Sequence, residues 1–246
     1  MNTWRKLTAT IIVAVICAFA FFYGSPIALV LFTKWENRNS PELWIVPKPL
    51  ADVSIDRSPG QEFSCLGYQF DSPWAGVKTE RKGHFTEVLG FNSGAVILLS
   101  KGSDKLQAMR EAMAGRGASP ESVLGREATS SNYALFSTIL SLTPADLRFS
   151  FSRRQMVAHS VLIMFKGTEA QQIKGGVYSF QSEWLRGFQE GSPADASAVS
   201  VHAFDEEDRE IWLLIGGEEH TATKVSQGEI NRVIYSLRPI SNSAGQ

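Results

Sequence analysis

The side chains that most often bind metals or transfer protons are few and scattered in this sequence. The four histidines are His84, His159, His202 and His220, and none stands at metal-ligand spacing from another histidine or an acid on one helix face. His159 falls within a predicted buried helix, where a hydrogen-bonded core histidine is the more common outcome. The sequence predicts no metal centre and no bound cofactor.

A run of four acids, DEED at residues 205–208, is the densest cluster of carboxylates. Calcium needs six to eight oxygen ligands in a defined loop, often with a glycine at the sharp turn. Consecutive side chains in an extended backbone point to opposite sides, so these four carboxylates do not converge. The pattern favours a solvated hairpin tip over a calcium site.

Nucleophiles and phosphate-binding loops lack their signatures. The chain has no Gly-x-Ser-x-Gly motif, and no Ser-x-x-Lys in a usable context. The glycine pairs at residues 175–176 and 216–217 lack the spaced glycines and lysine of a phosphate loop, so they indicate turns. Cys65, in a predicted strand, is expected to be a small buried apolar residue, since no neighbouring base is identifiable.

Two tryptophans are the candidates for a binding surface. Trp74 follows a predicted strand, and Trp184 lies within the last third of the chain. Exposed indoles are common at recognition sites, although large aromatic side chains serve the core more often. Core packing is therefore the competing interpretation for both residues.

The elements that would position these residues begin with strands. Residues 62–70 predict a strand, and residues 85–91 and 95–100 predict a hairpin closed by Asn92, Ser93 and Gly94. Helices follow: one capped by Ser103, with Gly115 and Gly117 at its end, a short one begun by Ser119 and Pro120, one over 133–140, and one over 156–165.

The last third of the chain returns to strands. We expect one strand over 177–188, a hairpin of 198–204 and 209–215 around the acidic run, and a closing helix that begins at Ser226 with a capping box to Glu229. Strands and helices do not alternate one for one, which disfavours a parallel doubly wound sheet. The predicted fold class is α+β, an antiparallel sheet covered by helices.

The first part of the chain predicts a membrane anchor. Residues 7–33 contain no charged side chain, and the 26 residues 7–32 exceed the roughly 20 that span a bilayer. Trp4 and Trp35 bracket the stretch as interfacial indoles do. A cleaved signal would have a shorter apolar core followed by small residues, and a lipoprotein signal would not place Ile16 before Cys17.

Charge does not orient the anchor, because Arg5 and Lys6 precede it while Lys34, Arg38 and Lys48 follow. We expect the short amino-terminal tail in the cytoplasm and the long following part outside it. The predicted organisation is an anchor over 1–34, a linker over 35–60 that holds four prolines, a globular domain over 61–240 and a flexible tail over 241–246.

Composition limits the partners. The chain has 24 basic and 25 acidic residues, and beyond residue 34 the balance is 21 to 25, a formal charge of −4. Nucleic-acid binding would need a basic face, so it is not expected. The two cysteines, one of them inside the apolar run, exclude a zinc finger and disfavour an internal disulfide.

Three runs resemble a known family: GYQFDSPW, VSVHAFDEEDREIWLLIGG and GEINRVIYSLRPI. Together they resemble the PsbP-like α/β/α sandwich over about residues 62–240. The resemblance implies an antiparallel sheet between helices and a binding or assembly role more than catalysis. It transfers no ligand residue to a position of this chain.

The sequence thus predicts a single-pass membrane protein with an extracytoplasmic binding or interaction domain. Its expected partners are the lipid bilayer, through the first helix, and a protein or small molecule that the sequence does not identify. The alternatives are an enzyme with a site of scattered polar residues and an accessory subunit of a membrane complex. A pocket that gathers acids and histidines would favour the enzyme.

Overall fold

The structure is a computed structural model, and it describes residues 22–51, 54–114, 119–149, 152–170, 176–217 and 223–240. The chain divides into two compact units. Unit 1 consists of Met1–Trp44 and Leu142–Gln171, and unit 2 consists of Ile45–Ser141 and Gln172–Gln246. Helices and strands are both abundant, so the predicted α+β class is confirmed.

The helices are α1 (22–36), α2 (Lys105–Ala114), α3 (Pro120–Leu124), α4 (Asn132–Ser141), α5 (Arg153–Ala170) and α6 (Gln227–Ser236), with 3-10 turns at Pro41–Trp44 and Pro144–Asp146. The strands are β1 (Lys48–Pro49), β2 (Gln61–Cys65), β3 (Tyr68–Ser72), β4 (Val77–Lys82), β5 (Thr86–Phe91), β6 (Ala95–Lys101), β7 (Val177–Gln181), β8 (Arg186–Glu190), β9 (Ala198–Phe204), β10 (Glu210–Gly217) and β11 (Arg238–Pro239).

Unit 1 is helical in its described residues. Its core consists of Val30, Leu43, Leu147, Met156 and Ile163. They belong to α1, the first 3-10 turn, the residue that follows the second 3-10 turn, and α5. The ammonium of Lys166, 3% exposed, donates hydrogen bonds to the carbonyls of Leu43 at 3.3 Å and Leu142 at 2.6 Å. These contacts hold the two separate segments of unit 1 together.

The predicted anchor lies mostly outside the described residues. Residues 7–21 are not described, and residues 22–32 form the first part of α1. Among the helices that the structure describes, none has both the length and the apolar character needed to cross a membrane. The predicted tail, residues 241–246, also lies outside the described residues.

Unit 2 is built on an eight-stranded sheet in the order β1-β7-β8-β9-β10-β6-β5-β4. Every neighbouring pair is antiparallel except β1 and β7. A second sheet, β11-β3-β2, has three antiparallel strands. Alternation along each strand gives the large sheet two different faces.

Each face of the large sheet packs against its own layer. One face, with side chains such as Ile97, Val201 and Leu213, forms the main core with α6 and the small sheet. On the other face, Phe188 and Phe204 pack against Phe136 of α4 at ring-centroid distances of 5.8 and 5.9 Å. Unit 2 therefore has helices on both sides of its main sheet.

Local signals located most elements, and the exceptions have physical reasons. The strand expected over 62–70 is two strands, because Leu66 and Gly67 both adopt positive φ in a tight turn. The strand expected over 177–188 is also two, joined at residues 182–185, where Ser182 bonds to the backbone of Leu185 in both directions. Asp104 rather than Ser103 caps α2, through the amide of Gln107.

From Ile45 onward, the predicted linker belongs to unit 2 and is partly bonded to its sheet and to α6. Lys48 and Pro49 add a parallel strand beside β7. Further along, the carbonyl of Ser54 accepts a hydrogen bond from the buried Asn231 at 2.8 Å, and the amide of Asp56 donates to the carbonyl of Gly228 at 3.1 Å. Proline fixes an extended backbone here, and the neighbouring residues supply the hydrogen bonds.

Candidate functional site

The acidic run at 205–208 is a structural hub. Asp205, 4% exposed, accepts hydrogen bonds from the amides of Glu207 at 3.0 Å and Arg209 at 2.9 Å. Its second oxygen accepts from the hydroxyl of Tyr68 at 3.0 Å and from Arg209 Nε at 2.7 Å. Burial and this carboxylate raise the pKa of Tyr68. The expectation of a wholly solvated hairpin tip is therefore wrong for Asp205.

Asp208 has a second structural role, at the start of α4. Its φ of 61° is in the left-handed region, which aspartate tolerates better than most residues. Its carboxylate accepts from the amides of Tyr133, at 3.1 Å, and Asn132. The side chain of Asn132 in turn accepts from the amide of Leu106 at 2.9 Å. One turn thereby fixes the starts of both α4 and α2.

These elements enclose a polar cavity of about 700 Å³. That volume is in the range of small-molecule sites, roughly 300–1,000 Å³. Five neighbouring segments line it, together with Ile240: the β2–β3 turn, the end of β6 with the loop to α2, α2 itself, the start of α4, and the β9–β10 turn. We call this space the polar cavity.

Most charged groups that line the polar cavity already have partners. Arg110 pairs with Glu121 at 3.1 Å, and Arg209 pairs with Glu207 at 3.0 Å besides Asp205. Lys101 and Ser103 are exposed, and the described part of the chain offers their side chains no hydrogen-bond or ion-pair partner. They are the groups with which a polar ligand would most easily interact.

Glu210 connects the cavity to His202, whose side chain is 13% exposed. His202 Nδ1 lies 2.7 Å from Glu210 Oε1, and Lys105 Nζ lies 2.9 Å from the same oxygen. Burial acts to raise the pKa of Glu210, but the hydrogen bond from His202 and the charge of Lys105 outweigh it, so the pKa is lowered. An ionised carboxylate only accepts, so Nδ1 of His202 carries the hydrogen.

The other nitrogen of His202 faces polar groups on the same sheet. Its Nε2 lies 3.4 Å from Ser200 Oγ and 4.0 Å from Glu190 Oε2, and Ser200 Oγ accepts from Trp212 Nε1 at 2.6 Å. Serine, histidine and glutamate thus follow one another in the order of a nucleophile, a base and an orienting carboxylate. Of the three, Glu210 alone lines the polar cavity.

The sequence did not point to this cluster. His202 and Glu210 are eight residues apart on two strands. Only the β9–β10 register, which pairs Trp212 with His202 and Glu210 with Phe204, shows that their side chains are neighbours. The alternation of His202 with Ser200 in a predicted strand was the one local signal.

The two predicted surface tryptophans are placed differently. Trp74 is 6% exposed, packs against Phe91 at 5.5 Å and donates from Nε1 to Glu229 at 2.8 Å, so its indole serves the core. Trp184 is 43% exposed, in the β7–β8 turn, beside a smaller cavity of about 310 Å³. Of the two, only Trp184 presents an indole to solvent.

The remaining candidates are apart from the polar cavity. Cys65 is 3% exposed, and burial together with a hydrogen bond to Glu87 raises its pKa to about 12, as expected of a buried unreactive thiol. His84 is exposed, His159 lies half-buried in α5, and His220 is outside the described residues. Within the described ranges, no group of three histidines, cysteines or acids is placed to hold a metal ion.

Neither of the two units gives a likeness on which a function could be based. Compared with protein-family models, with curated proteins and with solved structures, the chain has no significant match. A function can therefore be proposed only from the residues of this chain.

Proposed function

We propose that this chain is a single-pass membrane-anchored protein whose unit 2 binds a small polar ligand outside the cytoplasm. The observation that carries the proposal is the uncharged run of residues 7–33, of sufficient length to span the bilayer core. The polar cavity supports the second half of the proposal, since five segments of unit 2 converge on it.

Membrane attachment is tested by alkaline extraction of cell membranes. The full chain should stay in the pellet, whereas a variant with Val13→Arg and Cys17→Arg should move to the supernatant, because each arginine disfavours insertion by about 3 kcal/mol. Thr3→Arg, before the run, is the matched control and should stay in the pellet. Extraction of the unaltered chain would contradict the proposal.

Orientation needs an introduced thiol, because Cys65 is buried. Phe85→Cys places a thiol at a position that is 63% exposed. A membrane-impermeant maleimide should label this variant in intact cells. Labelling only after lysis would place unit 2 in the cytoplasm.

Ligand binding is tested on the detergent-solubilised full chain by thermal unfolding with a panel of small polar molecules that includes carboxylates, phosphates and amines. A ligand that binds the folded state raises the unfolding temperature as its concentration rises. Lys101→Gln with Ser103→Ala should remove the increase, whereas Lys82→Gln, an exposed lysine paired with Glu80, should keep it. An equal increase in both variants would place the ligand elsewhere.

A second candidate function is hydrolysis, favoured by the order Ser200, His202, Glu210. A fluorophosphonate reacts with an activated serine and should label the native chain but not a Ser200→Ala variant. Absence of labelling in the native chain would contradict this second candidate.

Membership of the PsbP-like family also remains a proposal. Its basis is the three sequence runs that resemble that family.

A further inference from the structure

The two units differ in the sign of their charge. Unit 1 has eight basic and four acidic residues, a formal charge of +4, while unit 2 has 16 basic and 21 acidic residues, a charge of −5. Charged residues of one sign favour a surface of the opposite sign. The excess of basic residues is therefore confined to the unit that contains the proposed anchor.

The two units also differ in what they expose. In the described residues, seven large hydrophobic side chains of unit 1 are exposed, against five in unit 2, although unit 1 has the smaller share of those residues. The seven are Phe22, Leu31, Phe32, Trp35, Trp44, Phe149 and Val161. Scattered apolar side chains are normal on a soluble surface, but such a concentration indicates contact with a partner.

The second segment of unit 1 shares this character. Phe149 is 60% exposed and follows the exposed Arg148, and in α5 Val161 is 52% exposed and Arg154 is exposed too. Aromatic and aliphatic side chains that alternate with arginines suit the boundary between lipid headgroups and acyl chains. Arginine forms bidentate hydrogen bonds with phosphate.

The core of unit 1 ties that segment to α1. Met156 and Ile163 of α5 share a buried cluster with Val30 of α1. Lys166 adds its two hydrogen bonds to backbone carbonyls, one of which belongs to the turn that follows α1. A bilayer that held α1 would therefore hold α5 close to its surface.

We propose that residues 142–149 and 152–170 form a second membrane contact, which rests on the headgroups of an anionic bilayer through Arg148, Phe149, Arg154 and Val161. The inference depends on the proposed membrane anchor, because the continuity of unit 1 with the uncharged run identifies lipid as the occupant. A soluble protein partner at the same surface is the competing occupant.

The test measures how deeply spin labels lie in a bilayer. The full chain with Cys17→Ser is reconstituted in equal parts phosphatidylcholine and phosphatidylglycerol, and one thiol is introduced per variant: Phe149→Cys, Val161→Cys, Leu31→Cys or Phe85→Cys. Cys65 stays, because its buried thiol does not compete for the label. Collisions with oxygen and with a water-soluble nickel chelate report lipid and water respectively.

We expect labels at 149, 161 and 31 to collide several-fold more with oxygen than with nickel, and the label at 85 to show the reverse. If the label at 31 reports lipid while the labels at 149 and 161 both report water, this inference is overturned and the proposed anchor is not. Water at 31 as well would overturn the anchor itself. Lipid at 85 would overturn the assignment of the contact to unit 1.

Discussion

Unit 1 and unit 2 differ in the charged groups that they bury and in the number of large apolar side chains that they expose. Unit 2 buries the carboxylates of Asp205 and Glu210 among donors and exposes few large apolar side chains. Among its described residues, unit 1 buries one ammonium, that of Lys166, and exposes a concentration of aromatic and aliphatic residues. This difference in exposed apolar side chains is what supports the proposed contact of unit 1 with lipid.

The largest effect is expected where unit 2 buries a carboxylate. Asp205→Ala removes four hydrogen bonds and leaves the hydroxyl of Tyr68 and the amide of Arg209 without their acceptor, so the free energy of unfolding should fall by about 3 kcal/mol. Glu206→Ala, at an exposed neighbour, should change it by less than about 0.5 kcal/mol. Urea titration of the full chain in detergent measures both free energies. Equal effects of the two substitutions would contradict the structural role of Asp205.

A glycine in the sheet of unit 2 gives the next effect. A Cβ at Gly187 would clash with the carbonyl oxygen of His202 and the ring of Phe180. The backbone of His202 is held in the sheet and cannot move aside as a flexible side chain could. Gly187→Ala should destabilise unit 2 by about 2 kcal/mol. In Gly90→Ala the nearest atom, at 3.4 Å on Thr79, is an ordinary contact, and that variant should unfold like the native chain.

The carboxylate at the cavity should give a pH-dependent effect. The pKa of Glu210 is lowered from 4.5 in the folded state, so its contribution is present above pH 4.5 and is lost as the pH falls through the lowered value. The Glu210→Gln substitution should lower the free energy of unfolding by about 1.5 kcal/mol near neutral pH. This loss should become progressively smaller below pH 4.5. Unfolding at a series of pH values checks this.

The control for Glu210 is Glu80→Gln, which removes an exposed pair with Lys82. An exposed pair contributes roughly 0–1 kcal/mol, so its loss should be small. A constant difference between the native chain and Glu210→Gln from neutral to acid pH would contradict the role of its charge.

The smallest effect on stability is expected on the surface of unit 1. Phe149→Ser should change the unfolding free energy by less than about 0.5 kcal/mol, because the side chain is 60% exposed and buries little surface within the protein. Leu147→Ser, 1% exposed and two residues away, should lose about 3 kcal/mol. Similar losses in both variants would mean that Phe149 packs inside the protein and is not offered to lipid.

The parts of the fold that the sequence predicted correctly depend on neighbouring residues. Ser226 and Glu229 cap α6 within one turn, and residues 92–94 close the β5–β6 hairpin. The buried position of Trp74 could not be read from neighbouring residues, because its hydrogen-bond partner Glu229 is 155 residues away in the sequence. Asp205 depends in the same way on Tyr68, and a run of four acids does not reveal which one is buried.

The candidate site was less predictable than the fold. The polar cavity needs the β2–β3 turn, the loop after β6, and the β9–β10 turn in one place, and their meeting is set by sheet order rather than by spacing. The edge strand β1 is a similar case: Lys48 and Pro49 indicate an extended linker, and only the pairing with β7 makes them part of the sheet.

The proposed division between a lipid-facing unit 1 and a water-facing unit 2 is tested most directly by photolabelling from within the bilayer. A carbene reagent dissolved in the lipid phase is activated around the reconstituted full chain, and the modified peptides are mapped by mass spectrometry. Label in residues 7–33 and in Leu142–Gln171, with none in the peptides of unit 2, is the predicted result. Label spread over unit 2, or none in the first 44 residues, would contradict the account.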